Sequence, residues 1–90
     1  MKPMKIMNEY TIIEVESFVP NNLTGKRGLV HIRPLPNQEP FETKMFVECN
    51  KTLSNDYPIG TRFRIKAKIT QKQGGTKFIY SHYLWKFEVL

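Results

Sequence analysis

The residues richest in chemistry along this chain are four cations set two apart. Arg62, Arg64, Lys66 and Lys68 alternate strictly with Phe63, Ile65, Ala67 and Ile69. Successive side chains leave a β-strand on opposite sides, so this spacing places all four cations on one face of one strand. Phosphates are attracted to such a row, and each contact releases counterions and makes binding salt-sensitive. A row of this kind also has a structural use. Acidic residues on a neighbouring strand can answer it, and exposed cations keep a strand edge from pairing with other chains. Glu14 and Glu16 share a face and supply that answer if their strand lies alongside.

Groups suited to catalysis are sparse. Cys49 is the only cysteine, which excludes an intrachain disulfide and a cysteine-type metal site. On a strand it reads as a small buried hydrophobe. His31 and His82 fall on different predicted strands, without metal-ligand spacing. Glu14 and Glu16 could pair as acid and base, but they read more simply as the solvated side of a strand. Gly74-Gly75 lacks the lysine and helix of a phosphate-cradling loop. No nucleophile has both a base and a group to orient that base. The expectation is a non-enzyme that needs neither cofactor nor metal.

Positioning falls to β-structure. Ninety residues suffice for one domain, read as a flexible lead-in over residues 1–8 and a barrel over 9–90. Such a domain is too small to hold a roomy buried cleft. The first strand runs from Tyr10 to Val19, with Ile13, Val15 and Val19 inward and Glu14 and Glu16 outward. Pro20-Asn21-Asn22 and a basic loop, Thr24 to Gly28, precede a second strand, Leu29 to Arg33, that ends at Pro34. Three prolines keep residues 34–40 out of strand and helix interiors. A third strand follows from Phe41 to Cys49, with Thr43, Met45, Val47 and Cys49 inward. Between Asn50 and Gly60 there is room for a single helical turn. The alternating fourth strand turns at Gly74-Gly75 into a long aromatic fifth, Lys77 to Leu90.

These features predict an all-β fold, a small five-stranded antiparallel barrel, because few strands without helices must close on themselves to hide their edges. The net charge of +6 favours a polyanionic partner, nucleic acid above all. No apolar run is long enough for a membrane span and the first residues do not form a secretory signal, so a cytoplasmic, membrane-free protein is expected.

The strand order and lengths, and the stretch Ile59-Gly60-Thr61-Arg62-Phe63-Arg64-Ile65, resemble the OB-fold of single-stranded-DNA-binding domains, with an SH3-like barrel as second choice. The resemblance implies that strand four pairs with strand one, setting Glu14 and Glu16 beside Arg64 and Lys66. It also implies a ligand face on strands two and three, carrying His31, Arg33, Lys44 and Phe46. Lys26 and Arg27 would frame that face on one side, Lys72 and Lys77 on the other. Tyr80, Tyr83 and Trp85 could extend the aromatic platform, although Trp85 and Phe87 are expected in the core. The function implied is binding of single-stranded nucleic acid, phosphates meeting cations and bases stacking on rings. The alternative is a protein-interaction module, or a homodimer, that docks a partner on an exposed strand or aromatic patch.

Overall fold

In the computed structural model the described residues are 10–20, 30–71 and 74–90. The expected lead-in over residues 1–8 lies outside them. The first alternating segment forms β1 (Thr11–Phe18), which buries Ile13, Val15 and Ser17. Val19 was expected inward but lies past the strand end and is exposed, and Ser17 takes the third inward place. A buried hydroxyl needs hydrogen-bond partners. The Ser17 Oγ donates to the Pro58 carbonyl at 3.4 Å and accepts the Gly60 N–H at 3.0 Å. This fastens the turn before β4 to β1, with Gly60 at φ 96°, where a side chain would be strained.

β2 (His31–Pro34) pairs antiparallel with β1. It ends one residue later than the expected Leu29–Arg33, because Pro34 packs its ring inside and a short edge strand tolerates the missing N–H. It begins only at His31, with Val30 outside the strand and Leu29 outside the described residues. Beyond it the Gln38 amide takes over the ladder's role. Its Oε1 accepts the Glu14 N–H at 2.8 Å and its Nε2 donates to the Glu14 carbonyl at 2.8 Å. The proline-rich link therefore stays tied to β1 without being a strand.

The third segment is much shorter than the expected Phe41–Cys49 strand. Only β3 (Val47–Glu48) forms. The Met45 N–H donates to the Glu42 carbonyl at 3.0 Å, closing a turn that lifts Thr43 and Lys44 into solvent. Thr43 is thus not inward, and Phe41, just before the turn, joins the core instead. The anticipated helical turn is α1 (Thr52–Asn55), which buries Leu53.

β4 (Arg62–Gln71) follows its alternation, with Phe63, Ile65 and Ala67 buried and Ile69 packed against them. It runs antiparallel to β1, with Glu14 opposite Arg64 and Glu16 opposite Arg62, so Glu16 does not face Lys66 as expected. A turn through Gly74 leads to β5 (Lys77–Tyr80), antiparallel to β4. The final segment is not one strand from Lys77 to Leu90. The Trp85 N–H donates to the His82 carbonyl at 3.0 Å and the Leu84 N–H to His82 Nδ1 at 3.0 Å, forming a turn that leaves β5. The chain then returns as β6 (Glu88–Val89), antiparallel to the beginning of β4.

The sheet order is β2-β1-β4-β5-β3, with β6 beside β4. β3 and β5 are parallel. The fold is therefore a small, nearly closed all-β barrel, with six strands among the described residues in a mixed sheet rather than five antiparallel ones. The extra strand comes from the break at His82, and the parallel pair from the irregular crossing between β3 and β4. Phe63 centres the core, with the Tyr57 and Phe87 rings edge-on at 5.2 and 5.8 Å. Phe87 thus packs on the core as expected. β2 and β3, the two ends of this order, lie beside each other without a ladder among the described residues, leaving a seam in the barrel wall.

Candidate nucleic-acid interface

The seam opens as a cleft of about 670 Å³, and four of the expected ligand residues line it: His31, Arg33, Lys44 and Phe46. Strand alternation explains why they meet. Ile32 and Pro34 point inward on β2, so His31 and Arg33 point out, and Val47 inward on β3 sends Phe46 out. Phe46 is 60% exposed although fully apolar. Lys44 stands on the adjoining turn. Its nearest acid, Glu42 at 3.8 Å, is itself half exposed, and such a contact holds a lysine only weakly.

Lys77 does not line this cleft. It lies in a neighbouring one of about 710 Å³ that shares Lys44 and Phe46 and adds Phe78. Lys44 and Phe46 thus form a ridge between two openings, and the Phe78 ring lies 6.4 Å from that of Phe46. Lys26, Arg27 and Lys72 lie outside the described residues.

Arg33 is less available than its position suggests. Its Nε donates to Glu16 Oε2 at 2.9 Å and its guanidinium sits 4.1 Å from the Phe18 ring centre. Phe18 and Lys51 also line the cleft and were not among the expected ligand residues. Phe18 shares the outward phase of Glu14 and Glu16 on β1, so alternation could have placed it. Lys51 precedes the helical turn, a region read only for its turn formers.

The basic stripe of β4 divides in two. Arg64 donates to Glu14 at 3.1 Å and to Glu88 at 2.8 Å, and these hydrogen bonds hold its guanidinium more firmly protonated than usual. Arg62 lies 3.8 Å from Glu16. This half is answered by acids, with Glu14 and Glu16 as its counterions. Lys66 and Lys68 have no acidic partner among the described residues. Their ammonium groups sit 5.7 Å from the Trp85 ring and 5.3 Å from the Tyr10 ring. Trp85 was expected in the core, but the turn at His82 folds it over the outside of β4, where it meets Tyr10 edge-on at 4.4 Å.

Among the described residues no cluster of three or more His, Cys, Asp or Glu could hold a metal ion. Burial, reinforced by the Glu48 carboxylate, pushes the Cys49 thiol up to about 11, and a neutral thiol is a poor nucleophile. No helix among the described residues is long and apolar enough to cross a membrane. Comparison with protein families, with curated proteins and with solved structures finds no match to this chain.

Proposed function

We propose that this chain is an OB-like barrel that binds single-stranded nucleic acid, without catalysis, across the β2–β3 seam. The observation that carries the reading is the exposed Phe46 set between Lys44, His31 and Lys77 on the rim of two joined clefts. An apolar ring in solvent flanked by lysines suits a base stacked on the ring with its phosphates held beside it. The pairing of β1 with both β2 and β4 supports the OB-like reading of the fold. The net charge of +6 supports a polyanionic ligand.

The seam itself favours a second reading. Two facing strands without a shared ladder offer backbone groups to an extended peptide, so a partner chain could add a strand there.

Titrating a fluorescent oligothymidylate at low and high salt tests the first reading. Binding that weakens with salt is expected, and the variant K44Q/K77Q should flatten the logarithmic salt dependence by about 0.7 per lost contact. Absence of binding at low salt overturns it. A peptide complex that survives nuclease treatment would then favour strand addition.

A further inference from the structure

Several rings follow one another across the outside of the barrel. Register places Phe46 beside Phe78 on β5, and the next outward residue of β5, Tyr80, stands opposite Lys68 of β4. Extending the β1–β4 register by one residue brings Tyr10 to Lys68, and Trp85 lies against Tyr10, with its ring 6.1 Å from that of Tyr80. Crossing from β3 through β5 and β4 to the start of β1 takes three interstrand steps, about 14 Å. Along this line Lys66 and Lys68 meet no carboxylate among the described residues, while the arginines further down β4 are cancelled by Glu14, Glu16 and Glu88. The uncancelled positive charge of the stripe thus coincides with its aromatic half.

From this coincidence we infer that a single strand held at the seam continues over the outside of β5 and β4 to the Tyr10–Trp85 pair, its phosphates following Lys68 and Lys66. The path rests on the seam reading and lengthens its ligand. Rings supply stacking surfaces that tolerate any base, and the lysines supply charge without base readout. The recognised ligand is therefore a long single strand of either sugar type, not a short end or a single nucleotide. An acidic peptide would find the two lysines equally well but would leave the aromatic series without a use.

The test compares labelled oligothymidylates of about 4 and about 12 nucleotides, spanning the range of site sizes for such barrels. The wild-type protein should bind the longer one at least about tenfold more tightly, beyond the statistical gain from multiple registers. K66Q/K68Q, two outward lysines whose loss leaves the core intact, should reduce that length advantage severalfold and leave the short oligonucleotide unaffected. Y10A/W85A should do the same, with circular dichroism confirming the fold. A length advantage that survives in K66Q/K68Q overturns the path while leaving the seam reading intact. Failure of both oligonucleotides to bind overturns both. Polyglutamate that binds through Lys66 and Lys68, with no length advantage for DNA, assigns the face to an acidic protein segment and overturns the path.

Discussion

Replacing Phe46 by alanine separates binding from folding. The ring is 60% exposed and meets the tilted Phe78 ring at 6.4 Å, so its removal opens no cavity in the core. Surface changes of this kind shift stability by about 0.5 kcal/mol or less. Loss of one stacking platform costs about 1–3 kcal/mol of binding, and each 1.4 kcal/mol is tenfold. F46A should therefore bind oligothymidylate about 5- to 150-fold more weakly while its thermal midpoint barely moves. The salt dependence should keep its slope, because the substitution removes no charge. Fluorescence anisotropy at several salt concentrations reads affinity and slope together. Ile59 supplies the control, being 59% exposed and outside both clefts, so I59A should bind like the wild type. Folded F46A within twofold of wild-type affinity would refute the stacking role of Phe46. An equal loss in I59A would show that any exposed apolar residue contributes, and would refute the site as placed.

Phe63 is fully buried between Tyr57 and Phe87, so F63A should cost about 3–5 kcal/mol and sharply lower the urea midpoint followed by tryptophan fluorescence. Such a loss is a large share of a small domain's stability. The Cys49 thiol, pushed up to about 11, should resist iodoacetamide at pH 8 in the folded protein and react as pH approaches 11; rapid labelling at pH 8 would contradict its burial. Because the folded-state value lies above the unfolded one of 9.0, the contribution of this thiol to stability is complete below pH 9 and declines as pH rises toward 11. Arg64 is occupied by Glu14 and Glu88, so R64Q should change oligonucleotide affinity by less than about twofold, whereas K44Q weakens it measurably in the same titration.

The parts of the fold legible in the sequence were those with unambiguous period. β4 alternates cation and apolar residue through Lys68, and its inward set matches the core. The Gly74 turn and the single helical turn at Thr52 were legible from local chemistry. The third and fifth segments were not. Phe41 to Cys49 has an alternating reading, yet Pro40 and the hydrogen bond from Met45 to Glu42 bend its first half into a turn. In the fifth segment both faces are apolar, so period could not reveal that His82 accepts the Leu84 N–H and turns the chain there. The same turn carries Trp85, expected inward, over the outside of β4. At the candidate site, His31, Arg33 and Phe46 were legible because alternation on and beside two short strands sets them outward, whereas Lys44 reaches the cleft from a turn where a strand was expected. The engagement of Arg33 by Glu16 was not, because it depends on side-chain reach between paired strands.

The pairing of β1 with β4 has a kinetic consequence. It is the longest ladder among the described residues, and it joins residues such as Glu14 and Arg64 that lie fifty positions apart. By contrast, the β4–β5 hairpin closes over a short turn and can assemble early. The central ladder must wait until the intervening chain has been gathered, and that loop-closure entropy is spent before the ladder's contacts repay it. A topology so dominated by distant partners places the domain among the slow small folders, in milliseconds to seconds rather than microseconds. While it waits, the apolar edge of β4 is exposed with Phe63, Ile65 and Ala67 uncovered, and the alternating cations then act as gatekeepers that keep nascent chains apart.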